Sequence, residues 1–431
     1  MTVEPDDGAR RDRAPRRVGE RRYPVSSRAA LLRAAVFVIL CACPPAVETD
    51  GGVALDGGRR GDSGMPFDAG TTADAGLISD AGVIADAGLI GDAGPADSGT
   101  ARDAGWLTQD PCSWRWSVGA QPVVRGFRNV ASDPTVLWAQ GRYEMIFSSL
   151  DETSGDNLLA SATSPDGLHW SDAGVVLRGH PGSWAEELES AELVLSDAGS
   201  QLYFAGYRTE INAALCTMYG ICSDGFPASV GLASHRDAGL DFGDDSIVLS
   251  GTDGGFDGEA TYSPTIARDG ARWMMLYSGW CLRNCNPAAK GFLALLGASS
   301  TDGVHWVKEP TPVLERAAAT SWRNRAVGEA SFVQLPNGRW LLAFTAFTDD
   351  RLPDTSLALA WADQPFGPYT VCPAPFYLPT PPADGGGLES GGVIAPEIRV
   401  VNDTVQLWFT SRNLSATTDF GYFIRHANAE P

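Results

Sequence analysis

Ser132-Asp133-Pro134-Thr135-Val136 begins a phrase that returns four more times, as Ser190-Ala191-Glu192-Leu193-Val194, Tyr262-Ser263-Pro264-Thr265-Ile266, Gly328-Glu329-Ala330-Ser331-Phe332 and Ile394-Ala395-Pro396-Glu397-Ile398. Each copy runs from polar or small residues into a short apolar strand. A turn follows, often with Gly, and then a second strand rich in aromatic and aliphatic residues, over 143–147, 202–204, 273–277, 340–344 and 406–409. The copies are roughly 60–70 residues apart, the scale of one four-stranded blade with its loops. Gly, Pro and Asp turns separate strands throughout, and no helical apolar period is sustained after Trp106, so the chain reads as all-β. A β-sandwich does not account for five copies of one phrase. The expected fold is a five-bladed β-propeller over residues 106–431.

A second repeat supports the first. Ser164-Pro165-Asp166-Gly167-Leu168-His169-Trp170 matches Ser300-Thr301-Asp302-Gly303-Val304-His305-Trp306. Asp-Gly makes a tight hairpin turn, because Gly accepts positive φ and Asp bonds its own backbone. These phrases resemble the Asp-box hairpins of sialidase-like propellers, with the Gly one position early. Asp166, Asp302, His169 and His305 are read as turn residues, with each Trp packing back into its blade.

The chain upstream of Trp106 differs in kind. Residues 1–28 are polar and rich in Arg, and residues 31–42 form an apolar run broken only by Arg33 and closed by Cys43. That order is an export signal, and the run is shorter than the roughly 20 residues that span a bilayer. Leu40-Cys41-Ala42-Cys43 resembles a bacterial lipobox, which makes Cys43 the expected lipidation site. Asp-Ala-Gly then recurs at Asp68, Asp74, Asp80, Asp86, Asp92 and Asp103. Six-residue periods can build a β-helix, but Leu77, Val83 and Leu89 are too sparse to fill one. Residues 44–105 therefore read as a disordered, acidic tether that buries too little apolar surface to offset its ordering entropy. Expected organisation is a leader over 1–43, a linker over 44–105 and the propeller over 106–431, placed at the cell envelope or outside the cell. Contact with a membrane is expected only through the lipid anchor.

The 431 residues carry a formal net charge of −21, and Lys290 and Lys308 are the only lysines. This balance excludes nucleic acid as a partner, since phosphates require neutralising cations. All 13 tryptophans lie at or beyond Trp106, supplying both core area and flat faces for sugar rings. Cys112, Cys216, Cys222, Cys281, Cys285 and Cys372 remain after the leader, and export favours disulfides among them. Local pairs Cys216–Cys222 and Cys281–Cys285, or cross-pairs between those loops, are both open. Either leaves Cys112 with Cys372 as a staple from the domain's start to a late blade. Zinc at Cys281 and Cys285 is disfavoured, because no suitably spaced His accompanies them.

With these phrases in place, the chain resembles glycoside hydrolase families 43 and 32 and their relatives, the five-bladed furanosidase-type enzymes. Asp133-Pro134-Thr135-Val136 with Gly141-Arg142-Tyr143 is similar to the first-blade phrase whose Asp is general base or nucleophile. Glu329-Ala330-Ser331-Phe332 with Gly338-Arg339-Trp340 is similar to the fourth-blade phrase whose Glu is the general acid, and Ala395-Pro396-Glu397 echoes another inner-strand phrase. The resemblance implies cleavage of a glycosidic bond, which needs one ionised and one protonated carboxyl. Inner strands of a propeller face its axis, so Asp133 and Glu329 are expected to converge there.

Glu192, grouped with the catalytic candidates, and Glu397 are expected in the same cavity as substrate binders or pKa modulators. Trp184, Trp280 and Trp322 are candidate sugar platforms, with packing as the alternative, and Arg323 is a candidate ligand for hydroxyls or a carboxylate. Ser263 departs from the family pattern, which places a carboxylate at that third-blade position; Glu259 is a candidate substitute. A variant enzyme, a different reaction such as phosphorolysis, and a propeller that only binds carbohydrate or a cell-surface partner are the readings this departure leaves. No metal-ligand cluster, phosphate loop or nucleophilic Ser turn is present in the sequence, so no cofactor and no metal are expected. The expected partner is a carbohydrate, met by a monomer.

Overall fold

The computed structural model describes residues 104–431 except 197–198, 209–227, 236–239, 241, 243–244, 282–284, 287–292, 349–354, 380–386 and 414–420. The leader with Cys43, the Asp-Ala-Gly segment up to residue 103, and Cys216 and Cys222 lie outside the described residues. Among the described residues twenty strands form five blades around an axis, and strand β1 (Arg115–Val118) precedes the first of them. Blade 1 is β2 (Ser132–Ala139), β3 (Arg142–Leu150), β4 (Asn157–Ser164) and β5 (Ser171–Arg178). Blade 2 is β6 (Glu187–Ser196), β7 (Gly199–Tyr207), β8 (Ala228–His235) and β9 (Asp245–Leu249), and blade 3 is β10 (Ala260–Asp269), β11 (Arg272–Trp280), β12 (Leu293–Ser300) and β13 (Val307–Lys308). Blade 4 is β14 (Ala326–Gln334), β15 (Trp340–Phe347), β16 (Thr355–Ala362) and β17 (Thr370–Val371). Blade 5 is β18 (Val393–Val401), β19 (Thr404–Asn413) and β20 (Gly421–Glu430), completed on its outer edge by β1, which runs antiparallel to β20 from Arg115↔Glu430 to Val118↔Ala427. Both ends of the ring thus share one sheet. The inner strands β2, β6, β10, β14 and β18 touch in cyclic order: the expected five-bladed propeller.

Middle strands read as nearly unbroken apolar runs because each blade is covered on both faces by its neighbours. The eight residues of β15, Trp-Leu-Leu-Ala-Phe-Thr-Ala-Phe, are all buried. Successive side chains enter alternate inter-blade cores. On β7, Leu202 and Phe204 pack towards blade 1 while Tyr203 packs towards blade 3. On β11, Met274 and Leu276 face blade 4 while Trp273, Met275 and Tyr277 face blade 2. Trp106, Leu107 and Trp114 fill the core between blades 4 and 5. Beside them the Cys112–Cys372 disulfide joins positions 260 residues apart. A second disulfide joins Cys281 and Cys285.

The two Asp-Gly hairpins lock neighbouring blades together. Asp166 Oδ1 accepts from the backbone N–H groups of Leu168 and His169, and its Oδ2 meets His169 Nδ1 at 2.7 Å; Asp302 repeats the set with Val304 and His305. The Gly167 carbonyl accepts from Trp170 at 2.9 Å and from Trp408 of blade 5 at 3.0 Å. The Gly303 carbonyl accepts from Trp306 at 3.0 Å and from Tyr203 of blade 2 at 2.8 Å. Each hairpin therefore docks on the preceding blade, so its Trp serves the seam between blades as well as its own blade. Among the described residues no helix is long and apolar enough to cross a membrane.

Candidate active site

Every inner strand carries the same irregularity. Pairing with the second strand shifts register between Ser132 and Thr135, Glu189 and Glu192, Tyr262 and Thr265, Gly328 and Ala330, and Ile394 and Glu397. At each bulge one residue takes positive φ: Asp133 (50°), Ser190 (52°), Ser263 (48°), Glu329 (45°) and Ala395 (49°). Five non-Gly residues in this sparsely populated region are strained, and a bulge re-aims the side chain it carries. A repeated hydrogen bond holds them. The bulge N–H donates to a hydroxyl on the second strand of the preceding blade: Asp133 to Thr410 (3.0 Å), Ser190 to Ser148 (2.9 Å), Glu329 to Ser278 (2.8 Å) and Ala395 to Thr345 (2.9 Å). Those hydroxyls pair with the residue just before their own blade's bulge; the corresponding residue in blade 2 is Ala205, which has none to offer Ser263.

The bulges meet at two cavities. The axial cavity is lined by all five bulge residues together with Glu192 and Glu397. The adjoining cavity is lined by Ser132, Ser148, Asn157, Glu189 and Tyr422 among others. Asp133 and Glu329 line both, so the structure brings the two expected carboxyls together at the junction. Burial raises the Asp133 carboxyl, against hydrogen bonds from Ser132 (2.7 Å), Ser190 and Ser148 that favour its charged form. Burial and then the Asp133 charge push Glu329 up to about 8, with Arg412 partly offsetting them. Glu329 Oε2 is buried with no hydrogen-bond partner among the described residues.

Glu192 and Glu397 line only the axial cavity, and a cation stands between them. Arg399 Nη2 lies 2.6 Å from Glu397 and 2.9 Å from Glu192. Its Nε donates to the Val136 carbonyl at 2.7 Å, and Val136 N–H donates to Glu397 at 2.9 Å. Burial pushes Glu192 up to about 8 and raises Glu397, while Arg399 opposes both shifts. The guanidinium stays charged, so at least one of the two carboxyls is ionised beneath it. This cluster ties blades 5, 1 and 2 around the axis.

The other candidates lie elsewhere. Trp280 is 1% exposed in an apolar cluster, Trp184 stacks on Phe204 at 5.8 Å, and Trp322 stacks on Phe344 and donates to the Pro373 carbonyl at 3.0 Å. Arg323 donates to the Glu315 carbonyl at 2.6 Å. None of the four lines either cavity. Aromatic residues near strand starts are drawn into the seams between blades, where they bury more surface than at a wet mouth. Glu259 is buried beside the Cys281–Cys285 sulfurs and also lines neither cavity. Bridged to each other, those sulfurs are not thiolate ligands for a metal.

Glu189 was not singled out in the sequence, yet it lines the adjoining cavity with Asp133 and Glu329. The blade 2 phrase starts one residue earlier than its Ser190 reading. Ser190, not Glu189, matches Asp133, and Glu189 matches Ser132. Counting back from Glu192 by the Glu397 phrase would have exposed that register.

No protein-family model matches the chain, and no curated protein matches it. Solved structures do. A complex of BT0996 with RGII superposes with a TM-score of 0.58 at 16% identity, over 76% of this protein and 96% of that one. A thermostable family-43 glycoside hydrolase gives 0.51 at 16%, over 70% and 88%. The Podospora anserina α-L-arabinofuranosidase PaAbf62A in complex with cellotriose gives 0.50 at 12%, over 74% and 98%. At these identities the likeness is one of fold: the chain has the propeller of glycoside hydrolases.

Proposed function

We propose that the protein hydrolyses glycosidic bonds of an extracellular oligo- or polysaccharide, with Asp133 as base or nucleophile and Glu329 as general acid. The observation that carries this reading is the junction of the two cavities. There a blade 1 and a blade 4 carboxyl repel each other with no ion pair to either among the described residues. Asp133 is the member that ionises: its ordinary value is lower and three hydroxyls donate to it. Glu329, at about 8, keeps its proton at neutral pH and delivers it to the departing oxygen. The fold shared with glycoside hydrolases supports the same class of chemistry. Export, a lipid at Cys43, a tether over 44–105 and a monomeric propeller over 106–431 complete the proposal; the leader and the disulfides support the first of these.

A second reading, a propeller that binds carbohydrate without cleaving it, is favoured by one observation. The third blade offers Ser263, whose hydroxyl is buried without a partner among the described residues, where the resembled enzymes offer a carboxylate. Incubating the full chain with a glycan panel and following both retention and reducing-end release separates the two. Product release that disappears in Asp133→Asn supports hydrolysis; retention without product supports the binding propeller.

A further inference from the structure

Glu189 has no part in the acid–base pair, yet its surroundings are built around it. It sits on β6 one residue before the blade 2 bulge. Two donors converge on its Oε1: Asn157 Nδ2 from β4 at 2.7 Å and the Tyr207 hydroxyl from β7 at 2.7 Å. Asn157 also donates to Tyr207 Oη, which closes a three-residue unit across blades 1 and 2. Both hydrogen bonds to Glu189 among the described residues fall on Oε1, and the residue is half-buried on the wall of the adjoining cavity, which Asp133 and Glu329 also line. Oε2 is therefore the oxygen left to a ligand.

The charges that face Glu189 are of one sign. Asp133 on β2, Glu187 on β6 and Glu329 on β14 all disfavour its ionisation, and after burial Asp133 has the largest effect. Tyr207 beside it is itself held well above the ordinary tyrosine range by burial and by Glu189 and Glu187. Arg412 on β19 acts on Glu329 and on Tyr422 of β20; among the described residues no cation pairs with Glu189. A further negative charge beside an ionised Asp133 is costly at low dielectric. A protonated carboxyl in its place is both donor and acceptor.

We infer that Glu189 is a substrate-binding residue that works as a neutral carboxylic acid. Tyr207 and Asn157 fix its Oε1, and Oε2–H donates to a hydroxyl or ring oxygen of the sugar bound beside Asp133 and Glu329. The inference rests on the glycosidase reading for the identity of the ligand. It assigns Glu189 to recognition, not to proton transfer, and it accounts for a carboxyl that receives two donors on one oxygen and no counter-ion.

The test uses the full chain and the p-nitrophenyl glycoside that a panel shows to be turned over fastest. Glu189→Gln keeps an acceptor for Asn157 and Tyr207 and a donor towards the cavity, so kcat/KM stays within about threefold and the high-pH limb of the profile does not move. Glu189→Ala removes the donor, so KM rises about tenfold or more while the thermal midpoint shows a folded protein. A hundredfold loss in Glu189→Gln, or a displaced high-pH limb, overturns the inference in favour of a charged carboxylate. Full activity in Glu189→Ala overturns it outright. Failure of the underlying reading looks different: Asp133→Asn turns over as fast as wild type, or no glycoside is hydrolysed at all. In that event the panel's parent sugars are titrated calorimetrically, and the same Gln and Ala variants are read by Kd. No binding by wild type to any of them overturns both.

Discussion

Two rings of carboxyls line the axis, Asp133, Glu329 and Glu189 at or beside the bulges and Glu192 and Glu397 two residues beyond the bulges of β6 and β18, and only the second ring encloses a cation. In the ring beyond the bulges, Glu192 and Glu397 enclose Arg399, whose guanidinium satisfies both and the Val136 carbonyl as well. At the bulges, Asp133 and Glu329 repel each other, and the unit that holds Glu189 is made of an amide and a phenol rather than a cation. Buried charges that serve architecture are paired. Burial pushes Glu192 as well as Glu329 up to about 8, so what sets Glu329 apart is that no ion pair holds it among the described residues, which leaves its proton to acid–base chemistry. The comparison separates acidic residues that the strand pattern alone makes look alike.

The largest expected effect comes from the unpaired ring. Asp133→Asn and Glu329→Gln each lower kcat by about 10²–10⁴, measured on the best substrate of the panel, with the circular dichroism spectrum unchanged. Equal loss of activity in Arg399→Met without loss of stability would break the distinction between the rings. Arg399→Met is expected instead to destabilise the fold by about 3–5 kcal/mol in denaturant titration, because two buried carboxyls lose their cation. Without it their folded pKa values rise further above the unfolded ones. The deficit is smallest below the ordinary carboxylate range and grows as pH rises.

The pH dependence sharpens the contrast. Glu329 titrates at about 8 in the folded protein against 4.5 ordinarily, so the folded state holds a proton that the unfolded state releases. Stability from this group is full below the ordinary value and is lost as pH climbs towards 8, at most about 1.4 kcal/mol per pH unit for one proton. Thermal midpoints of wild type are expected to fall between pH 5 and pH 8, and Glu329→Gln to flatten that slope. Activity is expected to decline on its alkaline side near pH 8, where Glu329 loses its proton. The smallest effect concerns the seams. Thr410→Val leaves the Asp133 N–H without its acceptor and is expected to cost about 1–3 kcal/mol. Ser148→Ala adds to this the loss of a donor to Asp133, so its acidic limb moves to higher pH.

Legibility in the sequence follows the range of the interactions. The five inner-strand phrases and the two Asp-Gly hairpins depend on neighbours within a few residues, and the structure has them where the sequence places them except for a one-residue shift in blade 2. Asp133 and Glu329 were legible because each opens a phrase copy. Glu189 was not, because a one-residue shift in the blade 2 phrase hides which residue carries the positive φ. The hydroxyl stitches from Thr410, Ser148, Ser278 and Thr345 link residues in different blades, and nothing local distinguishes those side chains from other strand Ser and Thr. The tryptophans proposed as platforms have the right chemistry and lie in the seams, since large rings go where the most apolar surface is removed from water.

From the sequence alone come the number of blades, the strand phrases, the hairpin turns and four of the acidic residues at the axis, Asp133, Glu192, Glu329 and Glu397, because repeats and turn chemistry are local properties of the chain. Only the closed ring decided which carboxyls share a cavity, which of them Arg399 neutralises, and that Glu189 joins the unpaired set. Those outcomes depend on distances between blades, which the order of residues does not contain.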